Sequence, residues 1–190
     1  MKEEDKNIQL LLRKIAEGDN DAFRTFYDEY YSQVFRFSSY FVKSTEVIEE
    51  IVSDVFCTIW LHRKKILKID NFKGYLYTIT KNKALHYIRQ DHKILLTDLD
   101  LDSISNEALS HNENPEYIAI DNEFSSAFKN AIGELPEKCR VIFLMAREER
   151  LKYKEIAEIL SISEKTVNAQ MVLAVKKLVK RLGNILYFVI

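Results

Sequence analysis

Helical spacing of the apolar residues is the feature that most constrains the fold of this chain. Between Asp21 and Phe41 the apolar side chains recur at steps of three and four residues, the spacing of one face of an α-helix. From Ser44 to Trp60 apolar pairs alternate with polar pairs, and Ser44 is placed to cap a helix whose first turns carry glutamates. Because the whole chain has only four glycines and two prolines, it offers few breaks for a strand-and-turn architecture. The sequence therefore predicts an all-α fold.

The predicted helices fall into two groups, separated by a polar stretch that has lost the helical spacing. This stretch is rich in Asp, Asn and Ser, as linkers are. Beyond it the spacing resumes, and Pro136 stands where the first turn of a helix tolerates proline. We therefore predict two small helical domains, at residues 1–90 and 123–190, joined by an acidic linker at residues 91–122.

Charge is segregated along the chain, although the net formal charge is only −1. Residues 1–54 carry seven Lys and Arg against twelve Asp and Glu, whereas residues 55–89 carry eight against one. Residues 90–122 hold one lysine and eight acids, and residues 123–190 hold twelve basic and eight acidic side chains. Basic patches on an otherwise balanced protein are typical of a polyanion partner such as nucleic acid. Charge alone leaves open that these runs are only solvated surface.

The predicted helix at residues 44–60 has one apolar and one acidic face. An acidic face can be ordinary solvated surface or a docking surface for a basic partner, and the spacing alone favours the solvated surface. The acidic face consists of Glu46, Glu49, Glu50, Ser53 and Asp54.

A third helix is predicted at residues 74–90, after a basic loop at residues 65–73. Phe72, Tyr75 and Tyr77 are interleaved with the cations of this region. Proteins use that combination to stack unpaired bases while they neutralise phosphates. Any one of these aromatic residues is more often part of a core, so both interpretations stay open.

A helix-turn-helix is predicted in the second domain. Tyr153–Leu160 has the pattern of a short amphipathic helix, Ser161–Ser163 that of a turn, and a longer helix begins at Glu164. Ala157 is small where the two helices must cross, the last serine of the turn can cap the second helix, and Val167 faces the first helix. Each of these residues meets a packing requirement of the motif.

The second helix of this motif carries side chains suited to DNA. Asn and Gln can read adenine bidentately, the Thr methyl and Ala can contact thymine methyls, and lysines can meet phosphates. A hairpin with a purely structural role stays open, because the motif consists mostly of packing residues. The predicted DNA-binding residues here are Lys165, Thr166, Asn168, Ala169, Gln170, Lys176 and Lys177.

Taken together, these segments resemble the extracytoplasmic-function (ECF) sigma factors of RNA polymerase, of the kind common in Bacteroidetes. Phe23–Tyr31 and Val47–Trp60 resemble the segment that docks on the polymerase clamp, and Tyr75–Arg89 resembles the one that melts and reads the minus-ten element. Leu135–Arg140 and Tyr153–Leu182 resemble the domain that reads the minus-thirty-five element. The resemblance implies a protein that fastens polymerase to a promoter and has no catalytic chemistry of its own.

The resemblance also implies partners and site residues. The partners are the RNA polymerase core, promoter DNA and an inhibitory anti-sigma factor that often spans the inner membrane, while the acidic linker would thread toward the RNA exit channel. The residues implied at the minus-ten element are Phe72, Tyr75, Tyr77, Lys81, Asn82, His86 and Arg89. Those implied at the polymerase core are Glu49, Glu50, Ser53, Asp54, Phe56 and Trp60.

Three positions and the C-terminal tail depart from the family pattern. Ser53 stands where the family often has Gln, which affects one polymerase contact. Val172 and Leu173 replace a Ser and a basic residue, which affects one phosphate contact. The tail at residues 185–190 is apolar but too short to span a bilayer, so we expect it to pack on the second domain or to be covered by a partner.

Other classes of function stay open or are disfavoured. A helix-turn-helix regulator that binds DNA alone as a dimer would leave the acidic face unexplained, and an adaptor of helical hairpins fits poorly with the charge segregation. Four scattered histidines, no Gly-rich phosphate loop and no nucleophile motif disfavour an enzyme. Cys57 and Cys139 lie far apart without ligand spacing, so no disulfide, metal or cofactor is expected. The charged N-terminus resembles neither a signal nor an anchor, which predicts a cytoplasmic protein.

Overall fold

The computed structural model describes the backbone of residues 3–91 and 121–189, and the side chains of residues 7–90 and 126–183. All regular elements in these ranges are helices, which confirms the predicted all-α class. The chain divides into two compact units, residues 1–96 (the N-terminal unit) and 97–190 (the C-terminal unit). Almost all of the predicted acidic linker lies outside the described residues, so the predicted domain bounds stay predictions.

The described part of the N-terminal unit contains a short 3-10 helix at Ile66–Lys68 among longer helices. In it α2 packs against α1, α3 and α4, and α3 packs along α4. The α-helices of this unit are α1 (Glu3–Glu17), α2 (Asn20–Ser38), α3 (Thr45–Leu61) and α4 (Phe72–Asp91).

Side-chain caps set the starts of α3 and α4. The Ser44 hydroxyl accepts a hydrogen bond from the Val47 amide at 3.2 Å, which confirms the predicted cap of α3. At the start of α4 the Asn71 side chain accepts from the Gly74 amide at 2.9 Å. A Cβ at Gly74 would stand 2.8 Å from Nδ2 of Asn71, so glycine leaves room for this cap. The cap explains why α4 begins two residues before the predicted start.

Aromatic side chains fill the centre of the N-terminal unit. The ring of Phe26 lies 5.5 Å from that of Phe56 and 5.7 Å from that of Phe72, so α2, α3 and α4 meet on it. A second contact joins Phe37 on α2 to Tyr77 on α4, with ring centroids 4.5 Å apart. These five rings are buried. The apolar faces predicted at residues 21–41 and 44–60, which are those of α2 and α3, therefore contribute to this core.

In the C-terminal unit, α8 is the central helix and packs against α5, α6 and α7. Its buried side is formed by Val167, Met171, Ala174 and Leu178, at helical spacing. The apolar tail at residues 185–190 lies outside the described side chains. The helices of this unit are α5 (Asp121–Gly133), α6 (Glu137–Arg147), α7 (Tyr153–Leu160) and α8 (Glu164–Val189).

The two helices α7 and α8 form the predicted helix-turn-helix. Ser161 ends α7 in the left-handed conformation, with φ of 57° and ψ of 41°, and the Ile162 amide donates back to the Ala157 carbonyl at 3.0 Å. The Ser163 hydroxyl then accepts from the Thr166 amide at 3.0 Å and caps α8, as predicted. This turn brings α7 against α8 and leaves the other side of α8 to solvent.

Candidate nucleic-acid and polymerase interfaces

The solvent side of α8 carries most of the predicted upstream DNA-binding residues. Thr166 and Gln170 are half-buried at the edge of the helix interface. Lysines lie at both ends of this exposed stretch, and the uncharged residues predicted to contact bases lie between them. This is the arrangement by which a recognition helix can meet base edges and flanking phosphates. The exposed predicted residues are Lys165, Asn168, Ala169, Lys176 and Lys177.

The two half-buried residues have hydrogen-bond partners within the unit. The hydroxyls of Thr166 and Ser163 lie 2.8 Å apart and share a hydrogen bond in the cap of α8. The side-chain oxygen of Gln170 accepts a hydrogen bond from the Cys139 thiol of α6 at 2.8 Å. The two residues predicted to read adenine therefore differ: the Asn168 side chain is exposed to solvent, whereas the Gln170 side chain is hydrogen-bonded to α6.

An apolar stripe that the sequence pattern missed continues along the solvent side of α8. The departures Val172 and Leu173 are both exposed, and so are Val175 and Val179. Val172, Val175 and Val179 follow Asn168 at steps of three and four residues, which was the signal available in the sequence. With exposed fractions of 62% for Val172 and 65% for Val179, this stripe is solvent surface in the isolated unit.

Helix α4 separates the predicted minus-ten residues into two sets. Tyr75, Asn82, His86 and Arg89 follow one another at intervals of seven, four and three residues, so they share one side of the helix. Three of them are exposed and Tyr75 is half-buried. This side combines an aromatic ring, hydrogen-bonding groups and a cation, which are the groups that contact unpaired bases and phosphates.

The other three predicted minus-ten residues lie inside the N-terminal unit. Phe72 packs on Phe26, and Tyr77 is only 1% exposed, with its hydroxyl accepting a hydrogen bond from Gln33. Lys81 is 4% exposed, and burial, followed by the positive charge of Arg89, lowers the pKa of its amine. These side chains are not available to DNA in this conformation.

The acidic face of α3 is exposed, but several of its carboxylates have partners. The Tyr31 hydroxyl of α2 donates to Glu49 at 2.6 Å, and this hydrogen bond is the main reason that the pKa of Tyr31 rises to about 12. The Lys83 amine of α4 lies 3.1 Å from a carboxylate oxygen of Asp54. Glu50 and Ser53 are exposed between them. The sequence pattern missed these partners, because they come from other helices.

Two aromatic residues predicted at the polymerase contact have different surroundings. Phe56 is buried, with its ring 4.6 Å from that of Tyr27. Trp60 is half-buried, with its ring 4.8 Å from that of Phe23 and with the Arg63 guanidinium 4.7 Å above it. Phe56 therefore supports the acidic face from beneath, while Trp60 remains partly accessible.

The first turn of α6 contains a titrating group. Burial raises the pKa of Glu137 from 4.5 to about 7, and the Arg140 guanidinium opposes that rise. Between these values the folded state keeps a proton that the unfolded state releases, so stability falls as the pH rises through this window. We expect Glu137→Gln to raise the stability of the C-terminal unit above pH 7 and to flatten this part of the profile.

Hydrogen exchange of the α6 amides as a function of pH measures this effect. Glu158→Gln, at an exposed position of α7, is the control and should keep the parent profile. A parent protein whose α6 protection does not change across the window would contradict the assignment.

Profiles of one protein family match both units. The Sigma-70 region 2 profile matches residues 26–94, and the Sigma-70, region 4 profile matches residues 125–178. The first match contains α3, α4 and the part of α2 from residue 26 onward, and the second contains α7, the turn and α8 as far as residue 178.

Relatives and solved structures agree with these matches. The ECF RNA polymerase sigma-E factor of Escherichia coli (strain K12) is 27% identical over 174 residues, covering 86% of this chain and 87% of its own. The sigma factor SigW of Bacillus subtilis (strain 168) is 22% identical over 169 residues, covering 86% and 90%.

Two solved structures share the fold. CnrH, in complex with the cytosolic domain of CnrY, has a TM-score of 0.61 at 17% identity, covering 93% of this chain and 97% of its own. The sigma factor RpoE of Bartonella quintana, in complex with the anti-sigma factor NepR, has a TM-score of 0.65 at 18% identity, covering 85% and 96%.

Because its two units carry regions 2 and 4, the chain belongs to the sigma-70 family, whose members are transcription initiation factors rather than enzymes. Within that family it is an ECF-type sigma factor, a protein that directs RNA polymerase to promoters. In the described ranges no helix is long and apolar enough to cross a membrane. The same ranges contain no group of three or more potential metal ligands.

Proposed function

We propose that the C-terminal unit reads the minus-thirty-five element through the solvent side of α8, while the N-terminal unit holds core polymerase and acts on the minus-ten element. The observation that carries this proposal is the capped helix-turn-helix, which exposes Lys165, Asn168 and Ala169 together at the start of α8. Lys176 and Lys177 contact flanking phosphates in this arrangement. Thr166 is hydrogen-bonded to the capping residue Ser163 through its amide and its hydroxyl, and its methyl group lies at the edge of the proposed contact surface.

The acidic face of α3 is the docking surface for polymerase. Its support is the exposure of Glu49, Glu50 and Ser53 on one side, with aromatic rings fixed beneath it. Tyr31 and Lys83 fix Glu49 and Asp54 in place, so the surface is organised before a partner arrives. A basic partner surface would be steered to it by charge.

Reversing Glu50 and Asp54 to lysine is expected to weaken binding to core polymerase by about tenfold, or about 1.4 kcal/mol. The fold should persist, because the Asp54–Lys83 pair is partly exposed and such pairs contribute about 1 kcal/mol at most. Fluorescence titration with core polymerase at several salt concentrations measures the change, which should shrink at high salt.

Glu17→Lys, at the exposed end of α1, is the control for a charge reversal elsewhere. Native circular dichroism together with unchanged polymerase affinity of the double variant would overturn the docking assignment.

The exposed side of α4 contacts the opened minus-ten DNA. This proposal is supported by the shared face of Tyr75, Asn82, His86 and Arg89, and it leaves Phe72, Tyr77 and Lys81 as supporting residues within the unit. Unpaired bases can stack on the accessible part of Tyr75, and Arg89 can neutralise a phosphate.

Tyr75→Ala is expected to slow promoter opening by about fivefold, the lower end of the effect of base stacking, because part of the ring is already covered by protein. Binding to closed promoter DNA should change much less. Permanganate reactivity of unpaired thymines measures opening, and Tyr75→Phe is the control because it keeps the ring. Equal reactivity rates in Tyr75→Ala and the parent would refute the stacking role.

An anti-sigma factor that covers these surfaces is part of the proposal. RpoE of Bartonella quintana was solved with such a partner, and the exposed valines of α8 offer apolar area for one. The proposed place of action is the cytoplasm, where polymerase works. The narrower likeness to sigma factors of Bacteroidetes rests on the sequence resemblance alone.

Reconstitution with purified core polymerase tests the function as a whole. The chain is expected to bind core polymerase and to start transcription from a subset of a genomic promoter library. A footprint on DNA without polymerase would favour a regulator that acts alone. Binding to neither polymerase nor DNA would favour the helical adaptor.

A further inference from the structure

Gln170 is the predicted reader whose side chain is tied to another helix. Its side-chain oxygen accepts from the Cys139 thiol at 2.8 Å, and Cys139 on α6 is completely buried. Gln170 itself is half-buried at the edge of the interface between α6 and α8. The bond therefore joins a residue of the core to a residue at the proposed DNA surface.

The chemistry of the thiol decides which end of the amide faces inward. Burial raises the pKa of Cys139, and the nearby positive charge of Lys177 opposes this. The group stays a thiol at neutral pH, and a thiol has one hydrogen to donate. The amide oxygen is the acceptor that satisfies this buried hydrogen. An inward amide NH₂ could only donate to the sulfur, which is a weak acceptor, and Gln170 would then offer no acceptor to the thiol hydrogen. Gln170 consequently keeps its oxygen inward and its NH₂ outward.

We propose that Cys139 is a positioning residue for promoter recognition, which holds the Gln170 amide so that Gln170 presents only hydrogen-bond donors to the DNA. The proposal rests on the proposed function, in which α8 reads the upstream element. It refines the sequence-based prediction for Gln170. Bidentate reading of adenine needs the amide oxygen and the amide nitrogen together, and here the oxygen is engaged behind the helix.

A donor-only glutamine has a defined preference in the major groove. Guanine offers O6 and N7, adenine N7 and thymine O4 as acceptors, whereas cytosine offers only its N4 donor. Gln170 should therefore reject cytosine at the position it contacts and accept the other three bases. Asn168 is exposed and has no such constraint from α6 in the structure, so it remains free to read adenine bidentately.

The experiment titrates holoenzyme on a panel of single-base promoter variants. Gln170→Ala is expected to remove the discrimination against cytosine at one base pair, by about two- to tenfold, the effect of one neutral hydrogen bond. Cys139→Ala frees the amide to rotate and should reduce the discrimination against cytosine at the same base pair by a similar factor. Cys139→Ser keeps a donor of similar size and should restore the parent preference. The double variant Cys139→Ala, Gln170→Ala should behave like Gln170→Ala alone.

A control separates positioning from general weakening of the core. Ile142 on α6 is also completely buried, so Ile142→Val loosens the same helix without touching Gln170. It should weaken all promoter variants alike and leave the base preference unchanged. Cys139→Ala that behaves in the same way as Ile142→Val would overturn the proposal.

A spectroscopic measurement tests the hydrogen bond without DNA. In a Cys57→Ala background the S–H stretching band reports Cys139 alone, since the chain has two cysteines. Gln170→Ala should shift this band toward that of a free thiol. An unshifted band would overturn the positioning role.

The outcomes distinguish this inference from the proposed function. If Gln170→Ala relaxes the base preference at one position while Cys139→Ala leaves that preference unchanged, the inference fails and the proposed function stands. If Asn168→Ala, Gln170→Ala and Lys176→Ala all leave promoter binding unchanged, α8 does not read the upstream element, and both fail.

Discussion

Replacing Tyr77 with alanine is expected to lower the free energy of unfolding of the N-terminal unit by about 3–5 kcal/mol. The tyrosine is 1% exposed, and its ring packs 4.5 Å from that of Phe37. Removing the ring leaves a cavity between α2 and α4 and strands the Gln33 amide that donates to the hydroxyl. The resemblance places Tyr77 at the minus-ten element, so this variant separates a structural role from a DNA contact.

The fluorescence of Trp60 during denaturant unfolding measures this effect, because the only tryptophan of the chain lies in the N-terminal unit. Tyr77→Phe keeps the ring and should lose only about 1 kcal/mol, the contribution of one hydrogen bond. An unchanged unfolding midpoint in Tyr77→Ala, together with slower promoter opening, would instead place Tyr77 at the DNA.

Helical spacing was sufficient to predict the helical class and the helix-turn-helix. The side of a helix that faces the core requires apolar side chains every three or four residues. Ser44 and Ser163 accept hydrogen bonds from backbone amides that have no partner within the first turn of the helix. These are local requirements, which one segment shows by itself. The same holds for Ala157, which is buried where α7 meets α8.

The inward and outward sides of α4 could not be predicted in the same way. Aromatic and polar residues occur on both sides of this helix, so its pattern does not define one apolar face. Phe72 and Tyr77 are inside because Phe26 and Phe37 of α2 meet them, while Tyr75 lies between them in sequence and reaches the surface. Only the packing of α2 on α4 separates these three rings.

Contacts between helices set the chemistry of the candidate site and were equally invisible in the sequence. Cys139 and Gln170 are 31 residues apart, and Lys83 and Asp54 are 29 apart. No local pattern connects residues at such separations. The sequence identified the residue types at each surface, whereas the orientation of Gln170 and the pairing of Asp54 depend on tertiary packing.

The recognition helix is expected to contain two kinds of residue, which respond differently to alanine. Asn168→Ala should relax the preference at one or two upstream base pairs, at a cost of about 1–3 kcal/mol for a lost bidentate contact. Lys176→Ala should weaken all promoters alike and lower the salt slope by about one unit, because it removes one phosphate contact. Both residues are exposed on α8, so neither change should unfold the unit.

Holoenzyme titrations on single-base promoter variants at several salt concentrations separate the two kinds of effect. Lys154→Ala, at an exposed lysine of α7 outside the predicted contacts, is the control for removing one positive charge, and it should leave both base preference and salt slope nearly unchanged. Contacts to base edges give the direct part of specificity. Replacing a residue that makes such a contact must therefore change the ranking of the promoter variants and not only their affinity. If Asn168→Ala weakens every variant by the same factor, α8 positions the unit on the DNA backbone. Specificity would then have to come from DNA shape or from the N-terminal unit.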